Sequence, residues 1–208
     1  MTVESALLHD IFEAAINLPP WEITASLLGI IYVSLAARES VWCWPFAFAS
    51  TLIYTFLFWE GQLPMQALLN FYYMGMAIYG FLLWRHHSNT ESDLHISRWP
   101  IRNHLAIIVT GSLLSFAVGT YMESISASKA PYLDATVMVF AVLNTWLMAK
   151  KVLENWLYWM VIDSAAILLF IQTGYYATIV MMMVYIVLAV FGFIGWKNNY
   201  DQSLNKTA

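Results

Sequence analysis

The chain has 208 residues, 61% of them hydrophobic and 11% charged, with a net charge of −4 and a mean hydropathy of +0.64. Soluble domains carry about 25% charge, and a globule of this size has too little interior to hide so much apolar surface. A water-soluble enzyme and a nucleic-acid-binding protein are excluded, and the solvent is predicted to be a lipid bilayer.

In chain order, residues 1–20 come first. Leu7, Leu8, Ile11, Phe12, Ala15 and Ile16 recur at helical spacing opposite Glu4, His9, Asp10 and Glu13. That pattern predicts an amphipathic helix on the membrane surface, stopped by Pro19-Pro20, and lacks the basic start and continuous apolar core of a cleaved signal. Seven apolar runs follow, over 23–37, 41–59, 64–84, 103–121, 130–149, 155–173 and 175–196. Each has roughly 15–22 residues, close to what a hydrocarbon core of about 30 Å requires. The fold class is therefore all-α integral membrane with seven transmembrane helices.

Numbering the loops alternately puts eight of the nine Lys and Arg residues on one side, with Lys129 alone on the other. The positive-inside bias makes the first side cytoplasmic, with the N-terminus outside and the C-terminus, 197–208, inside. Residues 85–102 form the one long loop. Its histidines and acids fit no standard metal spacing, and the stretch from Leu94 to Arg102 is expected to rest on the headgroups. The single cysteine, Cys43, excludes an internal disulfide and reads as packing.

Glu39-Ser40-Val41-Trp42-Cys43-Trp44 opens one run, and Glu154-Asn155-Trp156-Leu157-Tyr158-Trp159 opens another, 115 residues on. Tyr73, Gly80 and Trp84 close a run, as do Tyr185, Gly192 and Trp196, 112 residues on. Two three-helix units, 22–84 and 130–196, are thus joined by a lone helix over 103–121. An odd joining helix returns the chain to the starting side, so the plan is a 3+1+3 parallel repeat, a form found in transporters. Gly111, Ser115 and Gly119 give the joining helix a small-residue stripe, suited to a bundle or to another subunit.

Asp163 lies eight residues into the sixth helix, where an ionised side chain costs about 2.5–3.5 kcal/mol on insertion scales. No Lys or Arg lies inside a span to pair with it. Trp156, Trp159 and Asp163 share one helical face, an aromatic wall beside a carboxylate that suits a flat cationic ring. Helix-tethering and interfacial anchoring are the alternatives. Gln66, Asn70 and Tyr73 share a face of the third helix, and Asn144 puts a second amide in the fifth; either amide could read a ligand or bond between helices. By the repeat, Phe48 stands opposite Asp163 and Met182 opposite Asn70.

Asn70-Phe71-Tyr72-Tyr73, with Tyr79-Gly80 and Trp84, and the element from Glu154 to Asp163, followed by Gly174-Tyr175-Tyr176-Ala177-Thr178, resemble the Pnu family of bacterial vitamin transporters across roughly 22–196. The resemblance implies a doubled, SWEET-like arrangement of three-helix bundles, a homotrimer, and location in the bacterial inner membrane. It also implies facilitated diffusion of nicotinamide riboside, or alternatively thiamine, trapped by a cytoplasmic vitamin kinase. Substrate contacts carry over to Asn70, Trp156, Trp159 and Asp163. Leu169-Phe170 departs from the Leu-Tyr common in the family, removing one hydroxyl.

The partner expected is a small cationic aromatic vitamin, with no nucleic acid, no cofactor and no metal. A proton-coupled nucleoside carrier and a SWEET-like sugar carrier are the other transport readings. A rhodopsin-type protein would need a lysine in 175–196, which is absent, and an enzyme would need more than His104 near a span.

Overall fold

The computed structural model describes residues 19–60, 64–88, 94–125, 129–173 and 176–207. They form seven helices: α1 (Pro20–Ala37), α2 (Cys43–Glu60), α3 (Pro64–Ser88), α4 (Ile101–Ser124), α5 (Pro131–Ala149), α6 (Asn155–Thr173) and α7 (Tyr176–Thr207). The amphipathic segment expected over 1–18 lies outside the described residues. Proline opens α1, α3 and α5, where its missing N–H costs nothing and its fixed φ suits the first turn.

Six of the helices are long and apolar enough to cross a membrane. The remaining one, α2, has 18 residues and packs along both α1 and α3. Large apolar side chains point outward on every helix, among them Leu27, Phe56, Phe71, Phe116, Trp146, Val161 and Phe191. The helix surfaces are thus about as apolar as their contacts, as expected where lipid surrounds the protein.

The largest departures from the sequence reading are at the end of α7 and in the segment before α4. Helix α7 continues to Thr207, past the expected end at 196, because nothing between Lys197 and Thr207 breaks it and Tyr200 packs back on the core. The segment 94–100 is tied to the protein as well as placed at its surface. Ser97 N–H donates to Lys151 O at 3.0 Å, and Leu153 N–H donates to Ser97 O at 2.8 Å. Trp99 packs edge-on against Trp146.

Six helices close a ring in the order α1, α2, α3, α5, α6, α7 and back to α1, while α4 lies outside it and packs on α5. The small-residue stripe explains that seat. A Cβ at Gly111 would meet Phe140 and Leu143 of α5, and one at Gly119 would meet Tyr132. The α1–α2 turn, the α5–α6 turn, the 94–100 segment and the end of α7 meet on one face, called here the basic face because Arg38, Arg98, Lys150, Lys151 and Lys197 gather there.

Contacts recur around the ring at a fixed separation of 112 residues. Trp44 covers Gly80, and Trp156 covers Gly192. Trp44 meets Trp84 edge-on at 5.3 Å, and Trp156 meets Trp196 edge-on at 5.4 Å. Ser40 N–H donates to Leu35 O and Glu39 N–H to Ala36 O; Val152 N–H donates to Leu147 O and Lys151 N–H to Met148 O. Both are Schellman caps, with Glu39 and Lys151 in the left-handed region at φ 55° and 52°. This corrects the 115-residue offset drawn from the two Glu-led motifs. Trp44 corresponds to Trp156 rather than Trp159, and Thr51, not Phe48, stands opposite Asp163. The glutamates at 39 and 154 suggested the wrong register because Glu39 is matched by Lys151.

Candidate functional site

Asp163 is 5% exposed and makes no hydrogen bond or ion pair among the described residues. It points from α6 into the interior of the ring. Tyr73 of α3 and Tyr185 of α7 both lie within its electrostatic reach. Helices α3 and α6 do not pack against each other, so Tyr73 and Asp163 approach across the ring. Tyr32 of α1 joins the group through Tyr73 and Tyr185. The Tyr185 hydroxyl lies over Gly29, beside Ser50, whose Oγ donates to Ala25 O at 2.8 Å. Any side chain at Gly29 would displace that hydroxyl.

Four helices therefore place three phenols and one carboxylate together at the middle of an apolar bundle. Such a constellation presents aromatic faces and one acceptor without a counter-charge, which can receive a flat cation.

The other expected site residues sit around this group in different ways. Asn70 is buried and spends its amide N–H on Gln66 O, one turn back on α3, at 2.9 Å. Gln66 is half-buried. The α3 face is fixed by Tyr72, whose hydroxyl donates to Val142 O of α5 at 3.1 Å. Asn144 is 1% exposed and donates to Asn155 O at the start of α6 at 2.9 Å, so it tethers α5 to α6. Its Oδ1 has no partner among the described residues.

Trp156 is likewise 1% exposed, wedged between Gly192 and Trp196, and its indole N–H has no partner among the described residues. Trp159 is half-buried against the same core. Trp156 and Asn144 thus occupy a buried layer nearer the basic face than Asp163. Among the described residues, no three His, Cys, Asp or Glu side chains are placed to hold a metal.

Tyr32 and Tyr185 are interior residues that the sequence reading did not count as site candidates. Tyr185 had a signal, since it stands 112 residues after Tyr73. Tyr32 had none, because a tyrosine in an apolar run looks the same whether it faces lipid or the interior.

A ring of apolar helices around a buried, unpaired acid and a cluster of tyrosines defines a multi-pass membrane transporter. The chain belongs to the family described as nicotinamide mononucleotide transporter, which it matches over residues 19–198. It is 24% identical to the nicotinamide riboside transporter PnuC of Escherichia coli (strain K12), with 95% of this chain and 94% of that protein covered. It is 26% identical to the riboflavin/roseoflavin transporter RibM of Streptomyces davaonensis, with 84% and 83% covered. The fold matches the crystal structure of the vitamin B3 transporter PnuC with a TM-score of 0.73, at 21% identity over 97% of this chain and 94% of that one.

Proposed function

We propose that the protein mediates uptake of nicotinamide riboside across the bacterial inner membrane. The observation that carries this reading is Asp163, a carboxylate without a partner among the described residues, set among tyrosines inside the ring. The pyridinium of nicotinamide riboside is a flat ring with a fixed positive charge, which a carboxylate neutralises and aromatic faces hold. Facilitated diffusion is part of this reading, with Asp163 as the counter-charge of the bound cation. Phosphorylation by a cytoplasmic kinase keeps the vitamin inside. Thiamine, also a cationic ring, is the alternative cargo of the same chemistry.

The same reading takes the chain as a 3+1+3 parallel repeat of SWEET-like bundles that rock against one another. Supporting it are the contacts that recur at the 112-residue separation and the position of α4 outside the ring. The N-terminus lies outside and the basic face is cytoplasmic, supported by the gathering of Lys and Arg on that face. A homotrimer is part of this reading, supported by the apolar outer face of α4, which packs its length on α5 and, among the described residues, reaches α6 only through His104 and Tyr158.

The similarity to a riboflavin transporter favours a second reading, in which the cargo is a neutral flavin. Titration of the purified protein with nicotinamide riboside, thiamine and riboflavin, followed by quenching of its tryptophans, separates the two. Saturable quenching by nicotinamide riboside alone is the expected result. Quenching by riboflavin alone would replace the cationic cargo with a flavin.

A further inference from the structure

We propose that Glu39 and Lys151 form the latch of a gate on the basic face, and that parting this ion pair opens the interior of the ring to that side. The proposal rests on the reading of the protein as a carrier, and the geometry adds the device.

Lys151 Nζ lies 2.8 Å from Glu39 Oε2, with the two side chains 13% and 21% exposed. Glu39 sits in the α1–α2 turn and Lys151 in the α5–α6 turn, 112 residues apart. Those turns belong to opposite sides of the ring, and α1 and α2 do not pack along α5 or α6. The ion pair therefore joins two turns whose helices do not pack against each other. Asn199 of α7 holds the second carboxylate oxygen, donating to Glu39 Oε1 at 2.8 Å.

The backbone points the same way. Both residues occupy the left-handed position of a helix cap, where glycine is usual and a side chain costs about 1 kcal/mol. The chain carries Glu and Lys at these two positions instead. Beneath the pair lies a continuous line of rings: Trp44 on Trp84 at 5.3 Å, Trp84 on Trp196 at 6.3 Å, and Trp196 on Trp156 at 5.4 Å. Lys151 Nζ sits 4.9 Å from the centre of the Trp84 ring, so the latch and the aromatic plug are one unit. Toward the opposite face, the described residues close across the ring through a thioether contact. There Tyr54 reaches from α2 to Met181 Sδ of α7 at 3.4 Å while holding Ser26 at 2.7 Å. The described residues are thus bolted on the basic face, and passage of a solute to that side requires the bolt to open.

Cys43 is the one cysteine of the chain. It is fully buried next to Trp44 and within electrostatic reach of Lys151, which makes it a native reporter of this gate. The test is the rate at which a membrane-impermeant maleimide alkylates Cys43 in the full chain in lipid nanodiscs, read by mass. Glu39→Gln and Lys151→Met are each expected to label about tenfold faster than the wild type, as loss of a half-buried pair implies. The charge exchange Glu39→Lys with Lys151→Glu is expected to restore slow labelling, since the amide of Asn199 can serve either charge. Helical circular dichroism and a cooperative melt confirm folding in each variant.

Single variants that label at the wild-type rate would overturn the latch. So would an exchange variant that labels as fast as the single ones. Vitamin binding measured on the same wild-type sample keeps the two questions apart, because its absence would overturn the cargo while leaving the labelling result intact.

Discussion

Trp84 and Trp196 perform the same task from opposite sides of the ring. The indole N–H of Trp84 on α3 donates to Ala149 O of α5 at 2.9 Å, and that of Trp196 on α7 donates to Ala36 O of α1 at 3.0 Å. Both carbonyls belong to the last turn of a helix, where backbone acceptors lack an intrahelical partner. Each tryptophan thus closes one seam between neighbouring helices from different halves of the chain. Replacing Trp84 with Phe removes one buried hydrogen bond and leaves Ala149 O without it, whereas replacing Trp196 leaves Ala36 O still accepting from Glu39 N–H. A loss of about 1–3 kcal/mol is expected for Trp84→Phe and a smaller one, about 0.5–1.5 kcal/mol, for Trp196→Phe, measured by thermal unfolding in detergent.

Asp163→Asn keeps shape and removes charge. Binding of nicotinamide riboside is expected to weaken by roughly tenfold to a thousandfold, as when one member of a buried charge pair is neutralised. Riboflavin, lacking a fixed positive charge, should respond far less. Fluorescence titration of both ligands on the same sample reads the difference.

Gly80→Ala and Gly192→Ala push a methyl group into Trp44 and Trp156. Overpacking at these rigid rings should cost about 1–3 kcal/mol in each case. Gly75→Ala meets no atom within 4 Å and is expected to be neutral or to stabilise by about 0.4–1 kcal/mol. Comparison of the three melting temperatures checks the ordering. Gly29, Gly80 and Gly192 sit where a neighbour's ring or hydroxyl needs the room.

Ser97→Pro deletes the N–H that donates to Lys151 O. Release of the 94–100 segment should expose Trp99, which now packs on Trp146 and beside His104. Faster amide exchange over residues 94–100, with exchange inside α5 unchanged, is the expected outcome by hydrogen-exchange mass spectrometry.

The sequence by itself determined the solvent, the number of helices and the side that carries the basic residues. Those features follow from length, apolarity and charge, which are summed along a segment and need no knowledge of neighbours. It also singled out Asp163, because the cost of a charge at mid-span is set by depth alone. Tertiary structure decided which faces turn inward. In lipid the inner and outer surfaces of a helix are equally apolar, so periodicity carries little of the signal that it has in water. Tyr32 therefore emerged as an interior residue only once α1 and α7 were placed against each other, whereas Tyr185 was hinted at by its place 112 residues after Tyr73. Asn70 and Asn144 were recognisable as buried amides, but their partners, Gln66 O and Asn155 O, depend on backbone geometry. The pairing of Glu39 with Lys151 lay furthest from view. The two residues share no motif, and only closure of the ring brings their turns within 2.8 Å of a common bond.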